Sequence, residues 1–434
     1  MYDICCHDEL YIPEFHFCEF WQTLNLFGSN MKPEFEIVVV GGGLVGSLLT
    51  HSLSRAGFKV ALIEKGDLQK RTVHTGRAFA LSLASCNYLK ALGFADILEQ
   101  YGNLIEGVIV TEGEAGKGSR EGILEFMPSE IGEESFGCMI QEANLLEAVG
   151  ERLKKNKAVR IFSKTTVEDA SYDDGSLIVN LSKGKSIPTE LLAICDGSQT
   201  SLGSRLGYSH IKKNYRQRAI TCTVRHEKSN EGLAYQFFMP TGPIAFLPLS
   251  NHSVCIVWTN TQKEVNRLDQ LDDDQFLEEL GPAFGTFLGD ISLEGPRVSW
   301  SLELSMARKM VGARYALLGD AVRKIHPLAG QGLNLGLRDA AAFLEIVESA
   351  KHRGEDIGFP TVLERYQRWR MFDSVSFAAA TDFFNWAYTC SIPGNHLARQ
   401  LGTGIISRIT PLKGYLIREA AGLSGDIPEL MRNR

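Results

Sequence analysis

The stretch FEIVVVGGGLVGSLLTHSLSRAGFKVALIEK, Phe35 to Lys65, decides the fold. Ile37 to Val40 form a β-branched run suited to a buried parallel strand, and it leads straight into Gly41, Gly43 and Gly46 at G-x-G-x-x-G spacing. Leu48, Leu49, Leu53 and Ala56 then fall at helical intervals, Gly57 ends the helix, and KVALIE supplies a second strand. In such a βαβ unit Gly41 permits the tight turn, Gly43 lets backbone N–H groups approach a pyrophosphate, and Gly46 lets helix and strand pack closely. Glu64, ending the second strand, is placed to bond ribose hydroxyls. A glycine-rich turn alone also suits a structural bend. Here strand, helix, second strand and terminal acid agree on a dinucleotide site, which leaves NAD and FAD undistinguished.

Around this unit the composition is that of an ordinary globular protein. The chain has 434 residues, 44% hydrophobic and 22% charged, which predicts two lobes with an appendage. A net charge of -7 without clustered Lys and Arg excludes nucleic acid as a partner. Nine cysteines are scattered without a C-x-x-C pair or a His spaced to complete a zinc site, so no metal centre is expected. They read as reduced thiols of a cytosolic protein; the adjacent Cys5 and Cys6 are poorly suited to a disulfide. No apolar run is long enough to span a bilayer. The first thirty residues carry Asp3, Asp8, Glu9, Glu14 and Glu19 but no Lys or Arg, unlike a signal or transit peptide. Residues 1–34 are therefore expected to be an N-terminal extension, with Met31 as a candidate start. It is either poorly ordered or a short docking helix using Phe15, Phe17, Phe20 and Trp21.

Two later motifs narrow the cofactor. LLAICDGSQTSLGSRLG, Leu191 to Gly207, runs from an apolar strand into Asp196-Gly197 and a helix-like segment. YALLGDAVRKIHPLAGQGLNLGLRDAAAFLEIV, Tyr315 to Val347, gives a strand, then Gly319-Asp320, then a proline- and glycine-bearing loop that opens a long helix. Three motifs in this order, each at the carboxyl end of a predicted strand, are where open α/β sheets hold ligands.

The ordered set resembles the FAD-dependent aromatic hydroxylases, class A flavoprotein monooxygenases built on the p-hydroxybenzoate hydroxylase fold, over nearly all of Phe35 to Leu430. Within that group the sequence is most similar to the UbiH-type 2-polyprenyl-6-methoxyphenol hydroxylases of ubiquinone biosynthesis, in TGRAFALS (Thr75–Ser82), TVRHEKSNEGLAYQFFMPTGPIAFLPLS (Thr223–Ser250) and RGEDIG (Arg353–Gly358). The resemblance implies a Rossmann-like FAD-binding domain, an antiparallel-sheet substrate domain and C-terminal helices. The bounds expected are 35–107, 139–215 and 293–345 for the first, 108–138 and 216–292 for the second, and 346–434 for the third.

By the family's pattern Pro327 and Gly330 line the flavin ring, with His326 beside it. Asp320 bonds the ribityl or pyrophosphate region, Arg77 lies near the phosphates, and Asp196 holds the FAD fold together. Gly332, Leu333 and Asn334 open the following helix toward the flavin, where free N–H groups and the helix dipole suit an anionic reduced ring. For His326 a satisfied structural side chain is the competing reading. One departure stands out: Arg323 occupies a position that is histidine in many relatives, and it is expected to face solvent or a phosphate.

Short alternating runs such as AITCTVRHE, AYQFFMP, PIAFLPLS and SVCIVWTN predict the antiparallel sheet. Phe237, Phe246 and Leu247 are candidates to meet an aromatic substrate, with core packing the default for each. LDDDQFLEEL predicts an acid-started surface helix, and Ala380, Phe383, Phe384, Ala387 and Tyr388 a helical stripe that is core, a partner surface or an entrance for a greasy tail, with core the default. No Ser-His-Asp set or paired carboxylates stand out, as fits chemistry carried by a cofactor.

The resemblance implies ring hydroxylation of a polyprenylated phenol through a flavin hydroperoxide, with O2 as co-substrate. Electrons come from NAD(P)H or, since no second dinucleotide fingerprint is present, from a protein donor. It also implies a cytoplasmic protein in peripheral contact with the inner membrane, within a ubiquinone-biosynthesis complex. Hydroxylation of another aromatic, reduction of prenyl chains, or a weakly active flavin-binding scaffold are the alternatives.

Overall fold

Strand Phe35–Val40 sits at the centre of a mainly parallel sheet, between Val60–Glu64 on one side and Ser186–Ile194 on the other. In this computed structural model the described residues are 33–68, 77–114, 118–119, 124–173, 176–197, 202, 206–239, 241–327, 330–389 and 410–433. The readings of residues 1–30, of Thr75-Gly76 and of most of the segment between Gly197 and Gly207 lie outside them. Val39 faces Leu62 and Ala193 in register, and Ile37, Val38 and Val39 are fully buried on both faces of the sheet. This is why the run reads as continuous rather than alternating apolar residues. Helix Leu44–Arg55 lays Leu48, Leu49 and Leu53 onto the same core, each burial contributing about 2 kcal/mol. Val159–Ser163 extends the sheet beyond Val60–Glu64, and Tyr315–Leu317 pairs in parallel with Ser186–Ile194. The carboxyl ends of Phe35–Val40, Ser186–Ile194 and Tyr315–Leu317 therefore lie side by side, and the three motifs converge there although they are far apart in the chain.

A ten-stranded sheet forms the second lobe. His210–His226, Leu233–Met239, Gly242–Ser250, Ser253–Thr261 and Val298–Ala307 pair antiparallel as expected, while Gly107–Glu114 joins Leu233–Met239 in parallel. The sheet reaches beyond residue 292 through Val298–Ala307 and Arg323–Lys324. Helix Asp273–Phe284, opened by its acids, covers one face with Phe276, Leu280 and Phe284.

Phe237 and Phe246 belong to that covered face, in an aromatic cluster with Tyr235, Phe284 and Phe287. They are core, not substrate contacts. Side chains alternate along a strand, so Leu247 lies on the opposite face, with Cys255 and Ala234. The C-terminal part comprises helices Pro360–Thr389 and Thr410–Ala420. Ala380 and Phe383 are exposed rather than core, together with Phe372, Val375 and Trp386; the side chains of Phe384, Ala387 and Tyr388 lie outside the description. The stripe was expected to be core because its spacing is helical, but spacing does not specify whether another element covers it.

Candidate functional site

The glycine loop after Phe35–Val40 is shaped by contact with the neighbouring strand end. Gly41 has φ +97°, and a Cβ there would stand 2.6 Å from the Cys195 carbonyl oxygen. At Gly46 a Cβ would fall 1.9 Å from the Gly41 carbonyl oxygen, so helix and loop meet where only glycine fits. Gly43 differs: it is exposed, with φ -60° and open space where a Cβ would be. It is also the residue from which helix Leu44–Arg55 starts, with no side-chain cap and no acid in the first turn. The helix thus presents uncapped N–H groups, with the positive end of its dipole, toward an open edge. Glu64 stands beneath this loop, its Oε2 accepting from the Gly42 N–H at 2.6 Å and its Oε1 from the Gly66 N–H at 2.7 Å. Besides its expected ribose contact, the carboxylate therefore holds the loop itself. Asp196 lies half-buried against Gly41, its Cα 2.7 Å from where a Cβ would stand.

The late motif is built likewise. Gly319-Asp320 follows strand Tyr315–Leu317. The Asp320 side chain is open to solvent yet closely surrounded by protein; that surrounding raises its carboxyl above the ordinary range, opposed by the charges of Arg77, Lys324 and Arg323. Arg77 and Asp320, remote in sequence, are thus neighbours. Pro327 and Gly330, the latter at φ +60°, bracket Leu328 and Ala329, which are not described. Helix Gly332–His352 then begins at Gln331 without a side-chain cap or a first-turn acid, and Gly332 faces open space, with Leu333 half-buried behind it. The Asn334 side chain donates to the Ala80 carbonyl at 2.9 Å and accepts from the Ser82 N–H at 3.0 Å. It thereby ties the helix start to strand Ala78–Ser82, which follows Arg77 directly.

Arg323 does not face solvent or a phosphate. It is 2% exposed and forms a bidentate pair with Asp339, Nη1 to Oδ2 at 2.8 Å and Nη2 to Oδ1 at 2.7 Å, while its Nε donates to Ser374 Oγ at 2.8 Å. Asp339, fully buried, also accepts from Arg370 Nε at 2.8 Å and from the Gly319 N–H at 3.0 Å. Arg370 pairs in turn with Asp373. An isolated buried charge is costly, so the fixed cation and carboxylate require each other; together they fasten the Gly319 turn to helices Gly332–His352 and Pro360–Thr389. Sequence reasoning missed Asp339 and Arg370. The available signal was a charged Arg338-Asp339 pair set among Leu335, Leu337, Ala340 and Phe343.

His326 is 1% exposed, and burial pushes its pKa down to about 4. Its ring meets Tyr215 edge to face, with centroids 5.2 Å apart. Across the face of the large sheet opposite the aromatic cluster run the in-register rows Thr223–Cys255–Leu247 and Thr221–Val257–Ala245–Gln236. That surface is mostly apolar with a few polar groups, the usual lining of a small-molecule site.

The family model described as the FAD binding domain matches residues 34–368. The chain belongs to this family. Among its relatives, ubiquinone hydroxylase UbiL of Rhodospirillum rubrum is 33% identical over 402 residues, covering 92% of this chain and 92% of its own. The 3-demethoxyubiquinol 3-hydroxylase of Escherichia coli is 28% identical over 394 residues, 89% of this chain and 98% of its own. The crystal structure of p-nitrophenol 4-monooxygenase PnpA from Pseudomonas putida superposes with a TM-score of 0.74 at 18% identity, covering 90% of this chain and 98% of that one. At that identity the likeness speaks for the fold, and it agrees with the FAD-binding α/β architecture of this family member.

Proposed function

We propose that this protein is an FAD-dependent monooxygenase that hydroxylates the aromatic ring of a polyprenylated phenol in ubiquinone biosynthesis. The observation that carries the reading is the likeness to a ubiquinone hydroxylase along 92% of both chains. The arrangement at the strand ends supports it, because an open glycine, two uncapped helix starts and a flanking Arg-Asp pair fit an elongated dinucleotide with an anionic middle.

In this reading Gly41, Gly43 and Gly46 hold the pyrophosphate and Glu64 the ribose. Arg77 and Asp320 bind the phosphate and ribityl region, and Asp196 supports the loop. Pro327, Gly330, Gly332, Leu333 and Asn334 border the ring, and the backbone N–H groups at Gly332 to Asn334 favour negative charge on it. FAD, when bound, supplies electron transfer from the reductant and the activation of O2. The chain holds the phenol ring against the flavin and excludes water. NAD(P)H or a protein donor provides the electrons.

Among the described residues no helix is long and apolar enough to cross a membrane. The exposed Phe372, Val375, Phe383 and Trp386 support peripheral contact with the cytoplasmic face of the inner membrane, where a prenylated substrate resides, and membership of a biosynthetic complex. The test is to purify the protein, record its absorption spectrum, identify the released cofactor, and then supply 2-geranylphenol, reductant and O2. Stoichiometric FAD and an oxygen-dependent hydroxylated product are expected. A colourless protein that also refuses added FAD overturns the reading.

A further inference from the structure

Next to Pro327 the chain buries hydrogen-bonding atoms that no described residue answers. Among the described residues neither Nδ1 nor Nε2 of His326 has a partner, and the Tyr215 hydroxyl, whose ring lies against the imidazole, reaches only the Asp382 carboxylate, without good hydrogen-bond geometry. Such groups are rare in folded interiors because desolvation without a partner is unfavourable. A carboxylate is close by: the charge of Asp382 acts on both rings. Its oxygens, however, are held by Lys213 Nζ at 2.7 and 2.9 Å.

The backbone around Tyr215 is also unusual. Strand His210–His226 changes register against Val298–Ala307 between Asn214 and Arg218, and Arg216 takes φ 56°, the left-handed region that residues other than glycine seldom occupy. Bulges of this kind re-aim side chains and are common beside functional sites.

We propose that His326 and Tyr215 are recognition residues for a hydroxyl on the substrate ring; the proposal rests on the phenol-hydroxylase reading above. A phenolic O–H both donates and accepts. The neutral imidazole offers one donor and one acceptor nitrogen, and the Tyr215 hydroxyl completes the set. Pro327, the next residue, belongs to the loop assigned to the flavin ring, so a phenol held by this pair lies beside the cofactor loop.

The test compares 2-geranylphenol with its O-methyl ether, which keeps the ring and tail but loses the donor. FAD-loaded wild type, His326→Phe and His326→Gln are titrated with each compound, following the perturbation of flavin absorbance. Wild type is expected to prefer the phenol by roughly ten- to a hundred-fold. His326→Phe, which keeps an aromatic ring against Tyr215, should erase the preference, and His326→Gln should retain part of it.

Equal binding of phenol and ether by wild type overturns the proposal, as does a full preference surviving in His326→Phe, which would mean that a trapped water fills the pair. Weaker FAD retention in His326→Phe with the preference intact also overturns it and assigns the histidine to the cofactor instead. If His326→Phe does not fold, the wild-type preference and its weakening in His326→Gln give the same decision. Wild type that holds FAD but binds neither compound sinks the phenol reading itself, and this proposal with it.

Discussion

Helices Leu83–Ala91 and Asp273–Phe284 start under side-chain caps. Ser82 accepts from the Ser85 N–H, and Asp272 accepts from the Gln275 N–H while Gln275 reaches back to the Asp272 N–H. Helices Leu44–Arg55 and Gly332–His352 start at Gly43 and Gln331 with neither cap nor first-turn acid. All four helices face the same physical demand, because the first N–H groups of a helix have no intrahelical acceptor. The first pair meets it from within the chain. The second pair leaves its donors available at the carboxyl ends of parallel strands, where the proposed dinucleotide supplies the acceptors. A local defect in capping thus marks the site more sharply than any single side chain does.

The largest expected effect that tests this contrast comes from the glycines. Gly46→Ala drives a Cβ into the Gly41 carbonyl and should cost about 3 kcal/mol or more in urea unfolding, with loss of bound FAD. Gly43→Ala, at an open position, should change stability by no more than about 0.5 kcal/mol while weakening FAD. If the two variants behave alike, Gly43 has no separate role at the ligand edge.

Next in size is the acid response of His326, a second place where polar atoms are left open. Its folded pKa is about 4 against 6.5 unfolded, so between these values the unfolded chain binds the extra proton. Stability is therefore complete above pH 6.5 and falls as pH drops through the window, by roughly 3 kcal/mol at pH 4. Urea midpoints measured from pH 7 to 4 should fall less in His326→Phe than in wild type, and equal slopes would refute the assignment.

The smallest effects separate the two kinds of helix start directly. Asp272→Ala should lose about 1 kcal/mol of stability and leave FAD affinity untouched. Gln331→Asp, which adds a cap and a negative charge at the open start, should gain a few tenths of a kcal/mol without cofactor and weaken FAD about fivefold. The contrast fails if Gln331→Asp binds FAD as tightly as wild type does.

Much of this was legible in the sequence. Gly41, Gly43 and Gly46, the terminal Glu64, and the late Gly319-Asp320 with its glycine loop are spaced by the geometry of a strand running into a helix, and such geometry is local. The partner of Arg323 was not legible. Asp339 lies sixteen positions away and Arg370 thirty-one beyond it, and nothing in residue spacing states that a helix turn and a strand end will meet. The same limit applies to Asn334, whose place at a helix start was foreseen but whose side-chain bond to Ala80 and Ser82 was not.

By itself, then, the amino-acid order determined the βαβ unit, the three motifs at strand ends and the antiparallel strands of the second lobe, because each depends on short-range backbone chemistry and on periodicities of two or 3.6 residues. Only the tertiary structure decided which face of each strand is core. Phe246 packs under helix Asp273–Phe284 while Leu247 lies on the opposite face, and Phe383 remains in water although its spacing suits a core. Only the tertiary structure, too, buried Arg323 on Asp339 and left both ring nitrogens of His326 without a partner among the described residues. Periodicity groups residues onto a common face, whereas the element that covers that face is chosen by packing between segments remote in the chain.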